Sequence, residues 1–217
     1  MPPKFKFTED EIVSEALELV RTRGAKALTA RALAERLGCS AKPIFGLFKN
    51  MEELQLRVLC AADGLYERRI SEAMHRGEYP PYKASGMEYI RFAAEEPELF
   101  RLLFMRDRRG EPPQEHGLSP ELLTAICAAT GLEPSEAERF HLEMWIFVHG
   151  IAVMVATGYL EWDMDFVSDA LTHMYGAMLA DKRGVKNGEG FYNRKNYTNA
   201  DSFYHSAGTW KSFSDDL

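Results

Sequence analysis

The sequence predicts an all-α protein, and three observations carry that prediction. Apolar residues recur at three- and four-residue spacing along nearly the whole chain, as in Ile12, Ala16, Leu19 and Val20. Alternating β-branched runs, the mark of strands, are few. Glycines and prolines break the periodic stretches at Gly24, Gly38, Gly77, Pro80-Pro81 and Pro97.

The elements follow in order. Thr8 and Glu11 form a capping box, T-x-x-E, ahead of the first apolar stripe. That helix is expected to end near Gly24, with Arg21 and Arg23 in its last turn, where cations suit the helix dipole. Thr29 is a plausible N-cap for a second helix whose inner face is Leu33, Ala34 and Leu37. Gly38 supplies the positive φ of a tight turn. Ser40 is expected to cap a third helix, with Pro43 in its first turn and Ile44, Phe45 and Phe48 in the core. The stretch 28–54 therefore has the outline of a helix-turn-helix, a unit that places one helix in the DNA major groove.

From about Asn50 to His75 the pattern is helical without a break, with Leu54, Val58, Leu65 and Ile70 on the apolar side. Further helices are expected over 84–95, 98–105, 120–129, 134–159 and 165–180. The stretch 106–117 is charged and rich in Pro and Gly, which predicts a mobile loop. After Asp181 the aliphatic residues nearly vanish, and a poorly ordered tail is expected.

Charge is unevenly distributed. Residues 1–60 hold ten Lys/Arg against eight Asp/Glu, 61–181 hold ten against twenty-one, and 182–217 hold six against four, within a net charge of −7. A slightly basic head on an acidic body suits contact with DNA at one end only. Cys39, Cys60 and Cys127 are odd in number and far apart, so neither a disulfide framework nor a zinc module is indicated. No uninterrupted apolar run reaches the roughly 18 residues of a membrane span. No signal-peptide core is present in the first residues, so the cytoplasm is the expected location and no membrane partner is expected. There is no nucleophile–base pair at useful spacing and no phosphate loop, so an enzyme is not expected.

Leu28-Thr29, Leu33-Ala34, Leu37-Gly38, Ser40, Ile44-Phe45, Phe48 and Glu52-x-Leu54 stand where the tetracycline-repressor (TetR) family has its motif residues. Over about 8–60 the chain closely resembles that family. The resemblance implies a helix-turn-helix domain over 1–50, a helical ligand-binding and dimerisation domain over 51–181, and a tail over 182–217. By position in the motif, Ala41, Lys42, Pro43, Gly46 and Leu47 are expected to face the groove. Thr29, Arg31 and Lys49 are expected near phosphates, and Ser40 and Phe45 complete the DNA-binding set. Three donors usual in the family are absent: Phe45 stands in place of Tyr, Met51 in place of Lys, and Leu47 in place of His or Tyr. Lys42 is then the one charged side chain on the reading surface.

In the body, Trp145, His149 and Gly150 resemble a C-terminal domain type of the same family that carries Trp, His and Gly at this spacing. A mostly apolar pocket is expected from Phe100, Leu103, Phe104, Trp145, Val148 and His149. The plainer reading makes His149 a hydrogen-bonded core residue. His141 and His149 lie eight apart with no Glu or Cys at ligand spacing, so neither a metal site nor a cofactor is expected. Gly150 and Ala152 allow close helix approach, and Val153, Met154, Phe166, Leu171, Met174, Tyr175 and Met178 are expected to fill a dimer seam. The expected partners are double-stranded operator DNA, an apolar or aromatic small-molecule effector and a second copy of the chain. The expected function is a ligand-responsive repressor. The alternative is a small-molecule-binding or interaction protein with a weakened DNA-binding head.

Overall fold

Local capping sets the helix boundaries in the head. In the computed structural model, which describes residues 7–109, 118–159 and 161–182, helix α1 spans Glu9–Arg23 behind a complete Thr8/Glu11 capping box. After a short 3-10 turn, Ala25–Ala27, Thr29 caps α2, Ala30–Arg36, by accepting from the Ala32 N–H at 3.2 Å. Gly38 sits at φ 62°. Its N–H donates to the Glu35 carbonyl and that of Cys39 to the Ala34 carbonyl, closing α2 with two crossed bonds. Helix α3, Lys42–Leu47, is only six residues long.

Helix α4, Met51–Arg76, is capped by Asn50, which accepts from the Glu53 N–H at 2.9 Å, while Glu53 accepts from the Lys49 N–H at 2.6 Å. The body adds α5 (Pro81–Glu95), α6 (Pro97–Phe104), α7 (Pro120–Thr130), α8 (Pro134–Ala156) and α9 (Met164–Lys182). No strand occurs among the described residues.

In the head, Ile12, Ala16, Leu19, Val20, Leu33, Ile44, Phe48, Leu54 and Val58 are buried. In the body, Met87, Ile90 and Phe92 of α5 are buried, as are Leu99 and Phe100 of α6 and Phe140 of α8. An ionic bracket joins α4 to α5. Arg69 donates to the buried Glu88 at 2.6 Å and to Glu95 at 2.6 Å, and lies over the Phe92 ring.

Helix α1 also packs on α6. Arg21 Nε donates to Glu96 at 2.9 Å, just ahead of α6. Gly24, at φ 78°, lies so close to α6 that a Cβ there would stand 2.6 Å from Glu98 Oε2. Arg101 of α6 in turn bonds Glu98 and the Ala156 carbonyl at the end of α8. Head and body thus belong to one compact unit, which ends at Tyr175; a second begins at Gly176, and its described part, 176–182, is the last stretch of α9.

Two expectations are corrected and two are refined. Ser40 is not the cap of α3: the N-cap is Ala41, in helical conformation, with no side-chain bond. Phe45 is not core. It is 49% exposed, while Ile44 and Phe48 beside it are buried. On α4, Leu65 and Ile70 are half-buried, and Ala62, Ala73 and Met74 share the burial with Leu54 and Val58. Finally, α8 is long and apolar enough by length and composition to cross a membrane, although it carries charges that interrupt any pure run. Its Phe140, Met144, Val148 and Ile151 are buried, and the helix packs along α5. The segments 110–117 and 183–217, including most of the expected loop and nearly all of the expected tail, lie outside the described residues.

Candidate functional site

The head presents a small outer face. Lys42, Phe45, Gly46 and Lys49 are exposed, and Ala41, Pro43 and Leu47 are half-buried beside them. Thr29 and Arg31 are exposed at the start of α2, and the Thr29 hydroxyl is engaged in capping. Ser40 is exposed in the turn between the two short helices. Among the described residues, Arg31, Lys42 and Lys49 enter no ion pair, whereas Arg36 is held by Glu15 at 2.5 Å. Three unpaired cations on a face also carrying an exposed phenyl ring suit a polyanion with an apolar groove floor.

The body encloses a cavity of about 1430 Å³ walled by α4, α5, α7, α8 and α9, with Phe104 from the end of α6. Three of the six expected lining residues, Phe104, Trp145 and Val148, face it. Phe100 and Leu103 are buried behind the wall and do not line it. His149 does not line it either; it is stacked on Trp145 at 4.8 Å and bonded to Tyr89.

Four tyrosines line the cavity, Tyr66, Tyr82, Tyr89 and Tyr175, beside charged side chains such as Lys83 and Arg108. The Trp145 indole, which has only a donor, donates to the Tyr89 hydroxyl. That hydroxyl pairs with His149 Nδ1 at 2.8 Å. Burial favours the neutral form of His149 by lowering its pKa. Tyr82 makes a parallel contact, 3.3 Å from His141 Nδ1. Burial pushes His141 down to about 4. The two rungs stand seven residues apart on α5 and eight apart on α8, about two helical turns, so they form a ladder between the helices. The third phenol, Tyr66 of α4, is edge-on to Tyr89, Phe92 and Phe104, with ring centres 5.1–5.9 Å apart. Burial first, then the charges of Asp63 and Glu67, hold its proton on well above the usual phenol range. Among the described residues no group of His, Cys, Asp or Glu could hold a metal ion.

Sequence reasoning missed Tyr66, Tyr82 and Tyr89. Their helical spacing carries no signal, because each partner lies far away in sequence. It also put Leu171 and Tyr175 on a seam between copies. Within the chain both line the cavity, and Leu171 is buried. A Cβ on Gly86 of α5 would be 3.0 Å from Leu171 Cδ2, so the glycine makes room for α9. Gly150 faces open space. Val153, Met154 and Met174 are half-buried, and Phe166 is 46% exposed and stacked on Trp162. Met178 is helical, in the second unit. Leu142 and Ile146, which the sequence reading passed over, are exposed on α8 in line with Gly150 and Val153.

Residues 12–58 match the family described as bacterial regulatory proteins, tetR family. Residues 82–178 match the tetracyclin repressor-like C-terminal domain. The chain belongs to the TetR family. It is therefore a non-enzymatic transcriptional regulator whose helix-turn-helix is a DNA-binding module. Among solved structures, a transcriptional regulator from Rhodococcus sp. Rha1 is similar at a TM-score of 0.51 and 18% identity, covering 81% of this chain and 97% of that one. A member of the TetR family from Streptomyces coelicolor A3 is similar at 0.50 and 16%, covering 76% and 96%. At such identities the likeness is one of fold. No curated protein matches the chain.

Proposed function

We propose that this TetR-family regulator is a cytoplasmic repressor released from its operator by a small molecule bound in the body cavity. The observation that carries the reading is the cavity itself, aromatic-walled and tied to the head within one compact unit. We assign DNA contact to Thr29, Arg31, Ser40, Ala41, Lys42, Pro43, Phe45, Gly46, Leu47 and Lys49, over a head of 1–50. The body of 51–181 carries Trp145, His149 and Gly150 in the manner of the Trp-His-Gly type. Stacking and bonding of Trp145 and His149 through Tyr89 support that assignment. A homodimer doubles the contact of a recognition helix that reads only a few base pairs. The apolar stripe Ile146, Gly150 and Val153, with Phe166, favours α8 and α9 as the seam.

Effector binding acts by population shift. Helix α4 leaves the head at Asn50 and walls the cavity with Tyr66, Ile70 and Met74. A ligand that prefers one tilt of α4 sets the spacing of the two reading heads and so the operator affinity. Fluorescence anisotropy against the DNA upstream of the gene tests this. Salt-sensitive, sequence-dependent binding by the dimer is expected, and its absence overturns the reading.

The missing donors at Phe45, Leu47 and Met51 favour a second reading, a ligand-binding protein with a weakened head. Under it, Phe45→Tyr with Met51→Lys leaves DNA affinity unchanged. Under the first reading the pair raises it.

A further inference from the structure

We infer that the cavity takes an amphipathic ligand with one anionic group, such as a carboxylate, held by the ammonium group of Lys83 while an aromatic body lies in the corner of Tyr89, Phe104 and Trp145. This rests on the ligand-binding reading above and specifies its chemistry.

The charges lining the cavity sort by depth. Glu67, Glu121 and Glu138 are all exposed, as are Arg68 and Arg139. Water screens these groups, so they bias a ligand weakly. Two of them also have partners: Glu121 lies 3.4 Å from His75, and Arg139 is paired with Glu143 at 3.2 Å. Among the described residues, the half-buried charges of the wall are of one sign, Lys83 on α5 and Arg108 beyond α6. Glu88, the buried carboxylate of α5, does not line the cavity and is committed to Arg69 at 2.6 Å. The field inside the mouth is therefore positive, and it acts through a medium less polar than bulk water.

Lys83 is the half-buried cation that lacks a charged partner. Its Nζ donates to the Thr172 hydroxyl at 2.9 Å and lies 4.9 Å from the centre of the Tyr79 ring. That hydroxyl in turn donates to the Ser168 carbonyl at 2.9 Å, which fixes it as a neutral acceptor. An ammonium group has three N–H donors. Among the described residues no carboxylate reaches those of Lys83. Thr172 and Tyr79 thus hold the cation in place without neutralising it, which preorganises it for an anion. Arg108 is bonded to the Leu103 carbonyl, and its charge acts on the Tyr89 hydroxyl, so the positive field extends to the aromatic corner.

Helix α5 sets the spacing of the two parts of the ligand. Lys83 and Tyr89 are six residues apart on it, a rise of about 9 Å. Tyr89 and Phe104 lie 5.0 Å apart between ring centres, and with Trp145 they offer ring faces and edges to a flat body. A fused-ring body in that corner with a short chain along α5 brings its terminal anion to Lys83.

The test uses the full-length protein and three probes that share one aromatic body: 1-pyrenebutyrate, 1-pyrenebutanamide and 1-pyrenebutylammonium, titrated by pyrene fluorescence. The carboxylate is expected to bind about three- to tenfold tighter than the amide, the contribution of a partly exposed charge-assisted hydrogen bond. The ammonium is expected to bind more weakly than the amide. Lys83→Met is expected to bring the carboxylate-to-amide ratio close to one, and Lys83→Arg to keep it. Lys83→Gln serves the same comparison should Lys83→Met fold poorly. The inference is overturned by equal binding of carboxylate and amide, by an ammonium that binds as tightly as the carboxylate, or by a ratio that survives loss of the Lys83 charge. If carboxylate and amide bind equally at one per chain, the cavity remains a ligand site and only this inference falls. Failure of every probe to bind overturns it too, while operator binding stands or falls separately on the anisotropy titration.

Discussion

The outer face of α2 and α3 and the wall of the cavity are both built on helices, short in the head and long in the body, and their polar groups live in opposite surroundings. On the head, Lys42, Lys49 and Arg31 stand in solvent, with no ion-pair partner among the described residues. In the cavity, Tyr82 and Tyr89 are each held by a histidine, and burial shifts the ionisation of every member. The head is thus an electrostatic surface whose strength comes from outside, from the phosphates it meets, and which salt weakens. The cavity is an internal network whose geometry exists before any ligand arrives. A regulator needs both: a surface that releases readily and a pocket that discriminates.

The comparison breaks most sharply at two neighbouring phenylalanines. Phe48→Ala is expected to destabilise the protein by about 3–5 kcal/mol, because it empties a fully buried site. Phe45→Ala, three residues earlier, is expected to stay within about 0.5 kcal/mol while weakening DNA binding. Denaturant unfolding and anisotropy separate the two, and a large stability loss for Phe45→Ala would return that ring to the core.

Next in size is acid sensitivity. Burial lowers His141 from 6.5 to about 4, so between those values the unfolded chain binds a proton that the folded chain refuses. Stability from this residue is complete above pH 6.5 and falls as pH drops towards 4, by about 3 kcal/mol at the limit. His141→Leu is expected to remove that component, so the wild-type-minus-variant stability difference falls as pH drops from 6.5 towards 4. An identical pH profile for the two proteins would mean that His141 is solvated.

Gly24→Ala comes third, at about 1–3 kcal/mol, since it meets both a positive φ and the Glu98 carboxylate. Differential scanning calorimetry reads it. The smallest change is Lys49→Ala. It is expected to leave the melting temperature unchanged and to lower the salt slope of DNA binding by about one per head, whatever the DNA sequence.

Much of the head was legible because its signals are local. Thr8 with Glu11 and Gly38 with its two crossed bonds each act within a few residues, so spacing alone locates them. Phe45 was misplaced because α3 has six residues, too few for periodicity to tell its inner face from its outer one. Ser40 was misplaced because the helix starts one residue later than a cap at that position requires. The cavity was less legible. Trp145 and Phe104 announce themselves as aromatics on apolar helices, but Tyr82–His141 and Tyr89–His149 join positions 59 and 60 residues apart. The apolar stripe of α9 is compatible with either an inner or an outer role, and Gly86, on another helix, is what admits Leu171 inward.

The junction of α1 with α6 bears on building new regulators by exchanging parts. Arg21 reaches Glu96, and Gly24 makes room for Glu98, so the head ends in a fitted plug rather than a flexible tether. A reading head borrowed from another protein inherits the body's sensitivity to its effector only if it brings an arginine and a glycine, three residues apart, to the same place. A graft without them joins two working modules that no longer speak to each other.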